Sequence, residues 1–330
     1  MRRMRLEISV SARLLAGILF WALMLGLGGC AIAPQTRLLE SNRPSGLPER
    51  VELTAVPFFP QEEYQCGPAA LATALNSAGV VIRPDALTDQ VYLPSRKGSL
   101  QIEMLAATRR NGLAAYVLAP QLTDVLKEVA SGTPVVVLQN MLVSWYPLWH
   151  YAVVVGYDLG ASKLILRSGT NARQVLPFWY FEHTWQFSEH WAMVTVRPDH
   201  IPATATEIGY ASAAEALDAS GQKTAAATAY STLLTRWPNS LVGQLGLGNI
   251  YYAAGKLAEA EFAFRKATES HPDSAPAFNN LAQTLADQGK LPQALQAAQT
   301  AVGLGGPFLS ASKDTLEGIL SRGVAPASPR

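Results

Sequence analysis

Two residues of this 330-residue chain have the type and placement for covalent chemistry: a cysteine ahead of a helix and a histidine at the head of a strand. Cys66 stands in Gln61-Glu-Glu-Tyr-Gln-Cys66-Gly67-Pro68-Ala-Ala-Leu, before a helix-forming run, and His150 opens an apolar strand-like segment 84 residues later. A thiol at a helix N-terminus feels the positive end of the macrodipole and unpaired backbone N–H groups. Its pKa is therefore expected to fall, leaving thiolate at neutral pH. A thiolate attacks carbonyl carbon, and an imidazole can hold and return its proton.

The elements that must position these groups follow from apolar periodicity. Helical patterns cover 66–77, 100–111 and 122–130, whereas 115–118, 134–139, 151–157, 163–166 and 192–196 read as strands. Helices come first and strands gather later, which predicts an α+β fold with helices packed on an antiparallel sheet. If 151–157 and 163–166 form a hairpin turning near Gly160, His150 faces a residue near 170. Asp158 lies eight residues along the strand from His150, roughly 26 Å away, too far to orient that ring. Ser168 and Asn171 are the candidates for that role.

Gln61, the Cys66-Gly67-Pro68-Ala69-Ala70-Leu71 string and the strand His150-Tyr-Ala-Val-Val-Val-Gly-Tyr-Asp together resemble the bacteriocin-processing, double-glycine leader peptidase family. The resemblance implies a papain-like cysteine peptidase, with Cys66 as nucleophile, His150 as general base and acid, and Gln61 at the oxyanion. The family places an Asp, typically followed by Pro, in the strand after the histidine strand; Ser168 stands there in this chain. That departure implies a weakened or differently tuned enzyme, or an inactive one. Trp145, Tyr146, Trp149 and Tyr151 surround His150 in the sequence and read either as the lining of a cleft or as core.

The N-terminus has the layout of an export signal. Arg2, Arg3 and Arg5 precede an apolar run from Leu14 to Leu27, and Leu27-Gly28-Gly29-Cys30 follows. This resembles the bacterial lipobox, which implies removal of 1–29 and lipidation of Cys30, and the Ala31 that follows implies an outer-membrane lipoprotein facing the periplasm. Residues 30–50 read as a tether without apolar periodicity. Residues 1–29 carry four arginines and one glutamate, so the net charge of +1 becomes −2 from Cys30 onward. Such a balance does not favour nucleic acid. With Cys30 and Cys66 the only cysteines, we expect no disulfide. His183, His190, His200 and His271 lack ligand partners at metal-site spacing, so neither metal nor cofactor is expected.

After the peptidase-like region (51–198) and a linker (199–206), an internal repeat begins. Gly221, Gly255 and Gly289 are spaced by 34, as are Ala226, Ala260 and Ala294. The middle copy carries Leu247, Gly248, Tyr251, Ala260, Phe264, Ala267 and Pro272, which resembles the tetratricopeptide motif. The first copy keeps Ala214, Leu217, Ala226, Tyr230 and Pro238, and the third Leu281, Ala282, Leu285, Ala294 and Ala301. We expect three helical repeats over 207–308, then a C-terminal helix or tail over 309–330. The repeats imply a peptide or protein partner. The expectation for the whole is a membrane-anchored cysteine peptidase acting through a Cys66 thioester, with repeats that recruit a partner. The alternatives are an inactive, peptidase-like assembly factor, and an amide hydrolase or acyltransferase on cell-envelope substrates.

Overall fold

The computed structural model describes residues 33–61 and 65–323; the export signal, Cys30 and the last seven residues lie outside them. In chain order the elements begin with α1 (Pro34–Ser41), β1 (Arg50–Glu52), α2 (Cys66–Ser77), α3 (Asp85–Val91), β2 (Tyr92–Leu93) and β3 (Gly98–Ser99). Then come α4 (Gln101–Arg110), β4 (Ala114–Val117), α5 (Leu122–Ala130), β5 (Val135–Asn140), β6 (Trp149–Asp158), β7 (Lys163–Ser168), β8 (Asn171–Pro177), α6 (Phe178–Trp185) and β9 (Ala192–Val196). The remainder is helical: α7 (Glu207–Ala219), α8 (Lys223–Arg236), α9 (Leu241–Ala253), α10 (Leu257–Ser270), α11 (Ala275–Asp287), α12 (Leu291–Leu304) and α13 (Leu309–Gly323). These residues form two compact units. One holds the described chain up to Ser77 with Pro94–Gly98 and Leu118–Met193; the other holds Ala78–Leu93, Ser99–Val117 and the chain from Val194 onward.

In the first unit the sheet is antiparallel around β6, which pairs with β5 from Val135↔Val154 to Asn140↔Trp149 and with β7 from Asp158↔Lys163 to Val153↔Arg167. A β-branched run, Val135-Val-Val, makes β5 a good strand, and all six of its residues are buried. Asp158 accepts the Ala161 N–H in the β6–β7 turn, so its carboxylate serves the hairpin. Helix α2 packs on β6, β5 and β7 and buries every residue from Gly67 to Leu75, as expected of a helix apolar all round. Pro68 fits its first turn, where a missing N–H has no intrahelical partner to lose.

Several stretches, among them β1, α3 and the β2–β3 pair, differ from the sequence reading. Residues 34–41, expected within a featureless tether, form α1, which buries Thr36 and Leu39. The Gln35 and Thr36 N–H groups donate to the Glu182 carboxylate at 2.8 and 2.7 Å, and the Gln35 side-chain oxygen accepts the Leu122 N–H at 2.6 Å. The carboxylate that caps this short helix is 146 residues away in sequence, which is why local periodicity misses it. Strand β8 and helix α6 were also absent from that reading; β8 is mostly exposed and carries no clean alternation.

In the second unit each repeat opens on a hydroxyl cap. Thr206, Ser240 and Ser274, spaced by 34, accept from the N–H of Gly209, Gly243 and Ala277. Gly221, Gly255 and Gly289 turn each helix pair at φ of 81°, 71° and 76°, which a glycine adopts without strain. Phe264, Leu281, Leu285 and Ala298 fill the core between the second and third pairs, and Ile319 of α13 closes it. The stretch read as a linker is held down: the Tyr116 hydroxyl donates to the Thr204 carbonyl at 3.3 Å and accepts the Thr206 N–H at 3.3 Å. Residues 78–93 and 99–117, read as part of the peptidase-like region, thus fold into one compact unit with the repeats.

Candidate active site

Cys66 is the first residue of α2, and its helix begins one step earlier with the Ala69 N–H bonded to the Gln65 carbonyl at 3.2 Å. The thiol is free and keeps partial solvent access. Burial pushes its pKa up, and the backbone N–H groups of Tyr151, Gly67 and Cys66 itself draw it down only in part. The net direction is upward, opposite to the expectation from the helix terminus. The N-terminal amides do face the sulfur, but the dense packing around it outweighs them.

His150 is the second residue of β6, directly opposite Gln139 of β5. Its Nε2 and the Ser168 Oγ are 2.9 Å apart. The β6–β7 ladder explains the meeting: Val153 faces Arg167, so continuing the register by one residue sets Ser168 beside Ala152, two residues from His150 on the same face. Ser168 is buried, whereas Asn171, across the tight turn at Gly169, is exposed. Burial lowers the His150 pKa, so the neutral ring persists to more acidic pH than an exposed imidazole would.

Gln61 is tied to the same turn. Its N–H donates to the Gly169 carbonyl at 3.1 Å, and its side-chain amide donates to the Tyr151 carbonyl at 3.4 Å. One peptide segment therefore gathers the three groups: the Tyr151 N–H faces the Cys66 sulfur, the Tyr151 carbonyl holds Gln61, and His150 precedes both. An amide nitrogen has two protons, so the bond to Tyr151 leaves one free to donate. Tyr151 itself is core, fully buried and edge-on to Trp191 at 5.9 Å, with its hydroxyl pKa pushed well up by burial and by the neighbouring thiol. Trp145, Tyr146 and Trp149 point outward. Chemically, the assembly offers a protected thiol, a neutral imidazole with one nitrogen occupied by a hydroxyl, and an amide donor.

The second unit holds a different kind of concavity. A cavity of about 560 Å³ is lined by Leu234, Leu247, Tyr251 and Phe262, with Glu259 and Lys266 among its walls. Among the described residues, no group of three or more His, Cys, Asp or Glu is placed to hold a metal ion.

Comparison with known proteins finds two families along the chain. The Peptidase_C39-like family matches residues 53–193, and the tetratricopeptide repeat family matches 212–275 and 245–307. No curated protein matches the chain. Among solved structures, one described as a C39-like peptidase from Bacillus anthracis is 18% identical over 45% of this chain and 98% of its own, with a TM-score of 0.40. The tetratricopeptide domain of Sgt2 from Aspergillus fumigatus is 21% identical over 38% of this chain and 87% of its own, at 0.34. The Yersinia enterocolitica secretion chaperone SycD, solved with a peptide of the translocator YopD, is 20% identical over 34% and 92%, at 0.33. The chain therefore carries a domain of the Peptidase C39-like family over residues 53–193, of cysteine-peptidase type at the level of that family, followed by tetratricopeptide repeats over 212–307.

Proposed function

We propose that this protein is a membrane-anchored cysteine peptidase that hydrolyses peptide bonds through a Cys66 thioester, and that its repeats recruit the peptide or protein on which it acts. The observation that carries the reading is the convergence of Cys66, His150, Ser168 and Gln61 around the Tyr151 backbone. With the Nε2 proton donated to Ser168 Oγ, His150 Nδ1 holds the lone pair that takes the thiol proton as sulfur bonds to the carbonyl carbon. The C=O electrons move to oxygen, where the free Gln61 N–H and the Cys66 N–H stabilise the charge. Collapse breaks the C–N bond, and His150 returns its proton to the leaving amine. Water then attacks the thioester, giving a proton to His150; the C–S bond breaks, and the proton goes back to sulfur.

Anchoring rests on the sequence of residues 1–30, with lipidation at Cys30 and residence in the outer membrane facing the periplasm. The apolar cavity beside Phe262 supports recruitment of a partner segment by the repeats. A thiol-reactive peptidyl probe tests the chemistry. Wild-type protein labels and Cys66→Ser does not; absence of labelling at any pH from about 5 to 9, a span that covers most catalytic thiols, sinks the peptidase reading. The Ser168 position also favours a second reading, a peptidase-like assembly factor without turnover, since a hydroxyl gives the imidazolium no anionic support.

A further inference from the structure

The connection from β5 to β6 runs Met141-Leu-Val-Ser-Trp-Tyr-Pro-Leu-Trp149 without one charged residue, and it presents its large apolar side chains to the outside. Trp145 is 83% exposed and Tyr146 67%, with Leu142, Val143, Leu148 and Trp149 around half. A contiguous outward apolar patch of this size marks a contact surface.

Backbone and side-chain bonds close its base. Buried Asn140 accepts the N–H of Leu142 at 3.1 Å and of Leu148 at 2.9 Å and donates to the Val143 carbonyl at 3.2 Å. The Met141 N–H donates to the Leu148 carbonyl at 2.9 Å, and the Tyr146 N–H to the Val143 carbonyl at 3.2 Å. Groups paired in this way do not need water, whereas hydrocarbon would offer them no partner; the tip at Ser144 and Trp145, its backbone unpaired among the described residues, stays at the polar headgroup level. Trp and Tyr are the residues that settle at the headgroup level of a bilayer.

The chain outside the described residues says which surface is near. An apolar run ends at Leu27 and Cys30 follows, whereas α1 begins at Pro34 and is pinned to the same unit through Glu182. Four residue steps separate Cys30 from Pro34, a reach of ~14 Å when fully extended. A bilayer entered at Cys30 therefore lies within that distance of the unit that carries the loop.

We propose that the 141–149 loop is a membrane-docking surface, which inserts Trp145 and Tyr146 into the interface of the bilayer to which the N-terminal segment leads. The proposal rests on the anchoring reading above and goes beyond it, since a lipid tether alone needs no second contact. Docking sets the unit's orientation, so the His150 end of the sheet faces the membrane surface. The loop carries no charge, so its contact is insensitive to the anionic lipid fraction.

The test uses the chain lipidated at Cys30, in a Trp21→Phe background so that any unprocessed precursor contributes no emission from its apolar N-terminal segment. It is reconstituted in phosphatidylethanolamine–phosphatidylglycerol vesicles, with or without bromine on the acyl chain near the headgroup. The expected result is a loss of tryptophan emission with brominated lipid that Trp145→Phe largely abolishes, unchanged when the phosphatidylglycerol fraction is doubled. Sedimentation with vesicles accompanied by equal quenching with and without Trp145, and by free access of aqueous iodide to Trp145, overturns the proposal while leaving the anchor intact. A raised KM of Trp145→Phe for apolar peptides in that case assigns the loop to substrate. Failure to sediment with vesicles removes anchor and loop contact together. Trp145 makes no core contact to lose, so its variant is expected to fold.

Discussion

At the scale of single residues, the candidate site is poised as a neutral pair. Burial pushes the Cys66 thiol up and the His150 imidazolium down, so uncharged thiol and uncharged ring prevail across the intervening pH range. We predict that alkylation of Cys66 by iodoacetamide keeps rising past pH ~8.5, the ordinary thiol value, with no plateau near neutrality. A plateau below pH 7 would show a preformed thiolate and contradict the packing argument. Ser168 tunes the ring by hydrogen bonding alone. Ser168→Ala removes one neutral bond of about 1 kcal/mol and is expected to lower kcat roughly fivefold. Ser168→Asp adds an anion within reach of Nε2, which raises the His150 pKa. Because the base must be neutral to accept the thiol proton, the acid limb of kcat/KM then moves to higher pH. The titration of the His150 ring protons checks the same sign independently of turnover.

At the scale of elements, the legible and the illegible parts have different physical causes. Helix α2, the buried strands β5 and β6 and the six repeat helices were readable because each buries a face or a whole surface that leaves a periodic record. The hairpin register was readable too, and with it the nearness of residues around 168 to His150. Helix α1 was not, since the acceptor of its first N–H groups is one distant carboxylate. The thiol's pKa direction was not, since the sequence shows the helix terminus but not the density packed around it. The repeats give two sharp contrasts. A Cβ added at Gly248 would meet the Phe264 ring at 2.5 Å, whereas one at exposed Gly318 of α13 meets nothing within 4 Å. Gly248→Ala is expected to destabilise the repeat unit by about 1–3 kcal/mol through overpacking, and Gly318→Ala to stabilise it by about 0.5–1 kcal/mol through helix propensity, both read by denaturant unfolding. Glu261 gives the second: burial pushes its carboxyl up, but Lys290 at 2.6 Å, Arg265 and Gln288 outweigh this and hold it below the usual range. A depressed folded pKa contributes stability above the unfolded value and loses it as pH falls through the folded one. Glu261→Gln is therefore expected to cost about 1 kcal/mol at pH 7, with the gap to wild type closing below pH ~4.

At the scale of the whole molecule, Glu182 bears on how far the peptidase-like unit would stand from a membrane under the anchoring proposed above. A free 31–50 segment of 20 residues would reach ~70 Å; with α1 bound to Glu182, Gln35 locked to Leu122 and Ala33 and Leu39 buried, only the steps from Cys30 to Ala33 separate the two. Glu182 is itself 1% exposed, so its carboxylate has little access to water as a substitute partner. Replacing it by Ala leaves the Gln35 and Thr36 N–H groups without their acceptor, at a cost of about 1.5–3 kcal/mol for bonds to a charged group. That loss falls on α1 alone, so the helix opens locally while the sheet stays folded. Arg37 is exposed on α1, and its cleavage by trypsin is expected to quicken about 10- to 100-fold in Glu182→Ala, the factor corresponding to that free energy when opening is fast. Glu182→Gln keeps one side-chain acceptor and falls between. Cleavage at Arg37 no faster in Glu182→Ala than in wild type would mean that α1 is held by its buried Thr36 and Leu39 rather than by the carboxylate, and the short reach from Cys30 would then survive loss of the cap.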